Sequence, residues 1–485
     1  MLKTNILLAS GILYATIVST LGYSKPMECK YGERGSLTAI CYNASSFYFR
    51  ITNYRFDYLD ETLECVNCNL TSLEQGTFDI PGNEIKNLDI RNSFIRKIWP
   101  KAFIGMIYME KLLLAHNPIE IIYPEAFLGV RKVKLLDMED TVSDLEPKVF
   151  QELHLLEVLQ LNKNTLTKIK PGTFDGLYNL KILDLSENNL QSVNNSFDPL
   201  INLRILNLKN NHIKQIYGDE FIQLKSLYLL NLENNGLYNF TSNMPADNQM
   251  RIINLSFNNL SADSFAPNTF SNLNSVEELN LNNNNLGDIP VGLFRGLYKL
   301  TTLNLNDNSI TEINTGRFTG LPHLRVLNVS RNKIRLLKVT GRFALPSLIT
   351  LDVSDNKIVD VDYMNLILRT PRLKHIDLRD NKLSCKTIAQ LEALLETDSV
   401  TFYITNTTVC PKLVDEEVVK LIDTFTERLD SNYVNNNVMI WMFVLMTVAI
   451  LLTGVMFYIQ IFILRFVVPG VNVNNFGYRR NTEQV

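Results

Sequence analysis

The sequence lacks the short motifs that usually accompany catalysis. It contains no G-x-S-x-G, no H-E-x-x-H, no phosphate-binding loop and no glycine-rich dinucleotide motif. Those motifs supply a nucleophile, a metal-bound base or a cradle for phosphates. Catalytic residues can also converge from distant parts of a chain, but no pattern here points to such a cluster. We therefore expect that the protein is not an enzyme.

A surplus of charge and a metal-ligand cluster are missing as well. Lys and Arg number 47 against 50 Asp and Glu, so the net charge is −3. Such a balance does not indicate nucleic acid as a partner. The five histidines are scattered, and Cys65 and Cys68 form a C-x-x-C pair without a second pair of ligands. We expect neither a metal nor a cofactor.

Long apolar runs occur only near the two ends of the chain. At the N-terminus, Lys3 precedes an apolar run and small residues follow it, which is typical of a secretory signal peptide over residues 1–22. A short membrane anchor is the alternative, but the run is short for crossing a bilayer. Residues 438–464 carry no charge and are long enough to cross a core of about 30 Å. We predict one transmembrane helix there.

The charges that flank this second run predict its orientation. Acidic residues precede it, whereas Arg465, Arg479 and Arg480 follow it, and basic residues favour the cytoplasmic side. We expect a plasma-membrane protein with an extracellular N-terminus and a cytoplasmic tail at residues 465–485. The tail ends in Glu-Gln-Val, a weak likeness to PDZ ligands, which makes a cytoplasmic PDZ protein a candidate partner.

The middle of the chain repeats one pattern, L-x-x-L-x-L-x-x-N-x-L, whose residues we number 1 to 11. It recurs fourteen times at intervals of 22 to 26 residues, which is the period of leucine-rich repeats. Positions 4 and 6 alternate inward from a short strand, and stacked repeats share one core. The first positions are Leu63, Ile85, Met109, Val133, Leu156, Leu180, Leu203, Leu227, Met250, Val276, Leu300, Leu324, Leu348 and Leu373.

Position 9 is usually asparagine. The chain must turn sharply there, which leaves backbone groups without strand partners, and an Asn amide offers two donors and an acceptor to them. We expect a structural ladder of stacked asparagines. The members are Asn117, Asn164, Asn188, Asn211, Asn235, Asn258, Asn284, Asn308, Asn332, Asn356 and Asn381, with Thr71, Ser93 and Thr141 in the other repeats.

A phenylalanine recurs in the second half of many repeats and is expected to fill the back of the core. Because strands stack about 4.8 Å apart and the segments behind them are wider, the array must curve with its strands on the inner side. The predicted fold is an α/β solenoid, a leucine-rich-repeat horseshoe with a parallel concave sheet, over residues 63–384. The phenylalanines are Phe103, Phe127, Phe150, Phe174, Phe221, Phe270, Phe294 and Phe318.

Both ends of such an array need caps, because an open end exposes its core. In the N-terminal cap, residues 23–62, the alternating segment SFYFRIT predicts a capping strand. Residues 385–437 form the predicted C-terminal cap and stalk, and they begin as an amphipathic helix. We expect Cys385 to pair with Cys410 there.

The remaining cysteines belong to the N-terminal cap. An even number of cysteines in a secreted chain favours disulfides. In an extended strand, residues three apart are separated by about 10 Å, too far for a bond between Cys65 and Cys68. We expect these two to pair with Cys29 and Cys41, in an order that the sequence leaves open.

With this repeat and these caps, residues 29–410 resemble extracellular leucine-rich-repeat receptors and adhesion proteins, including Toll-type ectodomains and insect single-pass repeat proteins. The resemblance implies a horseshoe and a role in protein recognition. The chain differs from the family in two ways. Its C-terminal cap has two cysteines, where four are frequent, and its tail is too short for a Toll-type signalling domain. We expect signalling through partners.

Eight N-x-[ST] sequons suit a glycoprotein of the secretory pathway. Asn254 and Asn328 occupy position 5, where a side chain leaves the outward face of the strand. Glycans there would keep protein ligands off repeats nine to twelve. The sequons are Asn43, Asn69, Asn194, Asn239, Asn254, Asn259, Asn328 and Asn406.

The repeats before these glycans offer a candidate binding surface. Apolar residues fill position 3 beside polar residues at position 5, a combination that suits a protein interface. Alternatively, the position-3 residues are half-covered by their neighbours and serve ordinary packing. The candidate contacts are Leu135, Asp137, Val158, Gln160, Ile182, Asp184, Ile205, Asn207 and Asn231, with Tyr228 as an aromatic anchor.

Two functions fit these observations. The first is a receptor or co-receptor that binds an extracellular protein, for which innate immune recognition is one variant. The second is a cell-adhesion protein that binds its own copy or another repeat protein on a neighbouring cell. Saturable binding of a soluble ligand would favour the first, and clustering of cells that display the protein would favour the second.

Overall fold

The computed structural model describes residues 28–31, 37–51, 60–79, 82–318, 320–338, 345–395 and 400–405. These residues belong to one compact unit, residues 1–409. The predicted signal peptide, stalk, transmembrane helix and tail lie outside them, as do Asn406 and Cys410. Within the described ranges, no helix combines the length and the apolar character that crossing a membrane requires.

Short strands dominate the described residues. The described ranges contain three α-helices, α1 (Ser46–Ile51), α2 (Tyr363–Arg369) and α3 (Cys385–Leu395), with 3₁₀ turns at Asn195–Phe197, Asp219–Phe221, Ala262–Ser264 and Thr315–Phe318. The strands are β1 (Glu28–Tyr31), β2 (Thr38–Tyr42), β3 (Thr62–Val66), β4 (Ser72–Leu73), β5 (Asn87–Asp89), β6 (Lys97–Ile98), β7 (Lys111–Leu113), β8 (Ile121–Ile122), β9 (Leu135–Asp137), β10 (Val158–Gln160), β11 (Ile182–Asp184), β12 (Ile205–Asn207), β13 (Gln215–Ile216), β14 (Leu229–Asn231), β15 (Asn239–Phe240), β16 (Ile252–Asn254), β17 (Glu278–Asn280), β18 (Thr302–Asn304), β19 (Glu312–Asn314), β20 (Val326–Asn328), β21 (Leu336–Lys338), β22 (Thr350–Asp352), β23 (Asp360–Val361), β24 (His375–Asp377) and β25 (Thr401–Tyr403).

One sheet of 17 described strands runs through the molecule. Each parallel pair joins consecutive turns of the chain, so that Leu183 lies between Leu159 and Leu206 in register. These position-4 leucines are fully buried, whereas positions 3 and 5 of most strands are half-buried. Among the strands that the structure describes, only β1 runs antiparallel, beside β2. The result is a β-solenoid of about 14 turns, with further strands at both ends.

The turn after each strand has one conformation throughout. Position 8 adopts a left-handed backbone in all fourteen repeats and in the N-terminal cap, with φ between 47° at Asp140 and 59° at His116. Asn and Asp, which tolerate this conformation best after glycine, occupy ten of these fifteen positions. A sharp turn at this point carries the chain away from the sheet after only three strand residues.

The predicted asparagine ladder is confirmed, and Asn188 shows its bonding. Its Nδ2 donates to the carbonyl of Leu161 in the preceding repeat at 2.8 Å and to that of Leu185 in its own repeat at 3.0 Å. Its Oδ1 accepts from the Leu166 amide at 3.1 Å. The other ladder asparagines repeat this arrangement, for example Asn211.

Apart from α2 (Tyr363–Arg369) in the thirteenth repeat, the described segments behind the sheet are turns, 3₁₀ turns and small strands, not α-helices. The thirteenth and fourteenth residues of several repeats form three further small parallel sheets among the described residues, β4–β6–β8, β13–β15 and β19–β21–β23. The expectation of an α/β solenoid is therefore wrong in its helical part. A repeat of 22 to 26 residues that spends eleven on the strand and its turn, and then forms tight phenylalanine-glycine turns, leaves little length for a helix between repeats.

The phenylalanines behind the sheet are buried as predicted, in stacked series such as Phe78–Phe103–Phe127 with centroids about 6 Å apart. Phe78 and Phe197 extend the predicted set, since both are fully buried in the same stacks.

The first repeat lies three residues earlier than the pattern predicted. Leu63 pairs with Leu88, which is position 4 of the second repeat. The first repeat thus begins at Asp60, and Cys68, not Thr71, takes position 9. The Cys68 thiol is 3.5 Å from the Cys41 carbonyl, the contact that a ladder asparagine makes elsewhere. The sequence pattern was misassigned because positions 1 and 4 both take leucine and are three residues apart, so Leu63 fitted either position.

The SFYFRIT segment is a helix, α1, and not the predicted capping strand. The Ser45 hydroxyl accepts a hydrogen bond from the Tyr48 amide at 3.2 Å, as a helix-capping residue does. Phe49 is buried while Phe47 is 64% exposed, so the two phenylalanines do not share a face. The capping strands are β1 and β2.

The predicted cysteine pairing in this cap is wrong. Cys29 bonds to Cys41 on the adjacent strand, and Cys65 and Cys68 are buried free thiols. The prediction assumed an extended chain, but the left-handed turn at Asn67 brings the two thiols together. A hydrogen bond with Cys68 raises the pKa of the Cys65 thiol. At the other end Cys385 is disulfide-bonded, and its expected partner lies outside the described residues.

Candidate ligand-binding surface

The structure brings nine of the ten predicted contact residues into two rows on the outward face of the sheet. Leu135, Val158, Ile182 and Ile205 are register neighbours on β9 to β12. All four are half-buried, as expected for position-3 residues that lean on their neighbours. The second row consists of Asp137, Gln160, Asp184, Asn207 and Asn231.

Most of the position-5 row serves the turn that follows each strand. Asp184 accepts from the amide of Ser186 at 2.9 Å and from its hydroxyl at 2.6 Å. Asn207 donates to Asp184 at 3.1 Å and accepts from the Lys209 amide at 3.2 Å. In the same way, Asn231 accepts a hydrogen bond from the Glu233 amide at 3.1 Å. These side chains hold the chain in position for the left-handed residue at position 8, a structural role that the sequence did not predict.

Asp137 is the most buried member of this row, with 8% of its surface exposed. Burial raises the pKa of its carboxyl group above the usual range, and the hydrogen bond from the Glu139 amide opposes this shift. A carboxylate held in this way is poorly placed to meet a ligand.

Position 2, just before each strand, carries a row of charges that the sequence analysis missed. In the first repeats the sign alternates, and neighbours pair across repeats, as Lys134 does with Glu110 at 3.0 Å and Lys181 with Glu157 at 2.8 Å. Such exposed pairs contribute little stability, but they neutralise each other. Further pairs are Glu61–Lys86 and Arg251–Glu277.

The alternation breaks at Arg204. Its neighbours in the row are Lys181, which already pairs with an acid, and Tyr228. The guanidinium of Arg204 makes no ion pair or side-chain hydrogen bond with any residue that the structure describes, and Tyr228 is 44% exposed. The signal was present in the sequence as a lysine followed, one repeat later, by a second cation instead of an acid.

This break lies in a groove of about 750 Å³ along the edge of the sheet where the strands begin. Ile205 of the position-3 row lines this groove, so the groove adjoins the predicted binding surface. Asn179 and Asn202 hold its rim by donating to backbone carbonyls of the preceding repeats, each at 2.7 Å. Its lining also includes Lys181, Arg204, Ser226, Tyr228, Gln249, Arg251 and Glu277.

The seven described sequon asparagines are all exposed or half-buried. Asn254 and Asn328 lie on the strand face, where each accepts hydrogen bonds from the amide and hydroxyl of the serine two residues ahead. Among the described side chains, no group of three or more His, Cys, Asp or Glu is arranged to hold a metal ion.

The family model for leucine-rich repeats matches residues 83–142, 140–190, 154–206, 179–237 and 274–334. No curated protein sequence matches the chain. Among solved structures, the TLR13–ssRNA13 complex is similar with a TM-score of 0.61 and 22% identity, over 74% of this chain and 56% of TLR13.

Two further structures have a TM-score of 0.51. An internalin, InlF, from Listeria monocytogenes is 19% identical over 67% of this chain and 87% of its own. A TDR receptor is 21% identical over 70% of this chain and 59% of its own. Identities this low show the fold alone. Together with the repeat register and the asparagine ladder, these comparisons show that the chain has the leucine-rich-repeat fold, built as a β-solenoid of about 14 turns around one parallel sheet.

Proposed function

We propose that the protein is a cell-surface receptor or co-receptor that binds an extracellular protein ligand on the outward face of its sheet. The observation that carries the proposal is the groove at Arg204 and Tyr228, where a cation without an acidic partner among the described residues and an exposed aromatic ring adjoin the half-buried apolar row. Arg and Tyr are the residues that most often dominate protein interfaces. Similar folds act as receptors and bind ligands, as TLR13 does with ssRNA13.

The membrane anchoring belongs to the same proposal and rests on the sequence. The charge-free run at residues 438–464 and the signal-like residues 1–22 support a single-pass protein with its repeats outside the cell. The sequons support a glycosylated ectodomain. In this proposal the protein acts through partners in the membrane or in the cytoplasm, and innate immune recognition is one setting for this role.

A glycan placed on the strand face tests the proposal. The substitution Asp184→Asn creates an Asn-Leu-Ser sequon in the row beside the groove, and Asp352→Asn creates Asn-Val-Ser at the same position seven strands later in the sheet. The two sites are matched, because each aspartate accepts from the amide and hydroxyl of the following serine at nearly equal distances. Glycosylation at each site is verified by mass spectrometry.

Cells displaying the full chain are screened against a panel of secreted proteins and cell-surface ectodomains that includes this chain itself. A saturable interaction that Asp184→Asn abolishes and Asp352→Asn preserves would support the proposal. Removal of the glycan by a peptide N-glycosidase should restore it, because the enzyme leaves an aspartate at position 184 and so returns the wild-type side chain. The double variant Asp184→Asn/Ser186→Ala, which carries the neutral side chain without a sequon, separates the glycan from the lost charge. Binding that survives the Asp184 glycan would mean that the binding site lies elsewhere. Clusters formed only by cells that display the protein would favour the cell-adhesion function instead.

A further inference from the structure

We infer that the groove at Arg204 binds an acidic segment of a protein ligand, whose carboxylate pairs with the Arg204 guanidinium. The inference rests on the proposed function and specifies its ligand chemistry. The groove has the volume of a site for a short peptide segment rather than for a flat protein surface, at about 750 Å³.

The first argument is the missing acid in the position-2 row. Each of the other cations that line the groove has a carboxylate partner, Glu157 for Lys181 and Glu277 for Arg251. Arg204 stands between Lys181 and Tyr228 and has no such partner among the described residues. A guanidinium presents a planar fork of donors that matches a carboxylate with two parallel hydrogen bonds. A ligand carboxylate would therefore supply the charge that the row lacks.

The second argument is the apolar surface on either side of this cation. Ile205 lines the groove half-buried, and Tyr228 exposes 44% of its surface with no ring stacked on it in the described part of the chain. Tyrosine offers a large contact area at a low cost in conformational entropy. The groove thus fits a segment in which an acidic residue is followed or preceded by an apolar one.

The third argument distinguishes an acidic peptide from a polyanion such as RNA. A polyanion needs many unneutralised cations along its path. Here the acids Glu157 and Glu277 stand on both sides of Arg204 and neutralise the flanking cations. One isolated positive charge between two acids accommodates a single carboxylate and repels an extended run of phosphates.

The test uses random octapeptides displayed on phage and the purified full-length protein as bait. Arg204→Gln removes the cation, and Arg325→Gln is the matched control. Arg325 occupies position 2 of its repeat, is exposed, and forms no ion pair with a described residue, but it lies outside the groove. Circular dichroism verifies that both variants are folded. The most enriched peptide is synthesised, together with its Glu→Gln or Asp→Asn version.

Peptides selected by the wild type and by Arg325→Gln should be enriched in Asp or Glu beside an apolar residue, and Arg204→Gln should lose this enrichment. The synthetic peptide should bind Arg204→Gln about tenfold or more weakly than the wild type, and its amide version should show a similar loss. Absence of acidic enrichment, enrichment that survives Arg204→Gln, or binding of single-stranded RNA that requires Arg204 would overturn the inference. The glycan experiment at Asp184 tests the proposed function separately from this inference, because it uses natural ectodomains and not selected peptides.

Discussion

The asparagine ladder makes a quantitative prediction at Asn188. The substitution Asn188→Ala removes an amide that is 4% exposed and leaves its partners in place. The Leu166 amide loses its acceptor, and a buried N–H left without a partner costs about 1–3 kcal/mol. The carbonyls of Leu161 and Leu185 each lose one donor.

These two carbonyls lose less than the amide does. Leu161 still accepts from Asn164 at 2.9 Å, and Leu185 still accepts from Asn211 at 3.0 Å. Each lost bond then costs about 0.5–1.5 kcal/mol. The three contributions sum to roughly 2–6 kcal/mol, with the buried, unpaired Leu166 amide as the largest single part.

Urea denaturation of the purified full-length protein, followed by circular dichroism, measures this loss as a change in midpoint at constant slope. The control is Asn189→Ala. Asn189 is the adjacent asparagine, and its side chain makes no hydrogen bond within the described part of the chain, so a change within about 0.5 kcal/mol is expected. A loss below about 1 kcal/mol at Asn188, or equal losses in both variants, would refute the assigned role of the ladder.

Three further predictions concern other features. Gly296→Ala should destabilise the protein by about 1–3 kcal/mol more than Gly292→Ala. Both glycines have positive φ, but of the two only Gly296 would place a Cβ 2.4 Å from a backbone oxygen, that of Phe270. Equal denaturation midpoints for the two variants would contradict this close approach. Asp137→Asn should raise the melting temperature at neutral pH. Burial raises the pKa of this carboxyl group, so its ionised form lowers the stability of the protein above the folded-state pKa. This loss disappears as the pH falls through the folded-state pKa. A difference between Asp137→Asn and the wild type that persists at acidic pH would argue against this cause. Peptide mapping without reduction should yield a Cys29–Cys41 crosslink, and a crosslink from either residue to the C-x-x-C pair would contradict the structure.

The repeat itself was readable from the sequence because its physics is local. A leucine every two or three residues, followed by an asparagine, specifies a short strand and a sharp turn wherever it occurs. The ladder bonds of Asn188 follow from the same positions in adjacent repeats. The phase of the first repeat was not readable, because Leu63 satisfies the pattern at position 1 and at position 4 alike. Only pairing with Leu88 distinguishes the two.

The candidate surface was predicted in part. The alternation of strand residues placed Ile182 and Asp184 on the outward face, and the structure has them there. Alternation does not reveal which outward side chains are already occupied. The bond from Asp184 to Ser186 and the absence of a described partner for Arg204 both depend on distances between neighbouring turns.

The solenoid, its parallel sheet and its internal ladder were predictable from the amino-acid pattern, because each of these repeats a local rule whose errors average out over fourteen turns. The disulfide in the first cap, the helix at Ser46–Ile51 and the groove at Arg204 became visible only in the folded chain. Each of these occurs once, so no repeated pattern predicts it, and each involves residues that only the folded chain brings together.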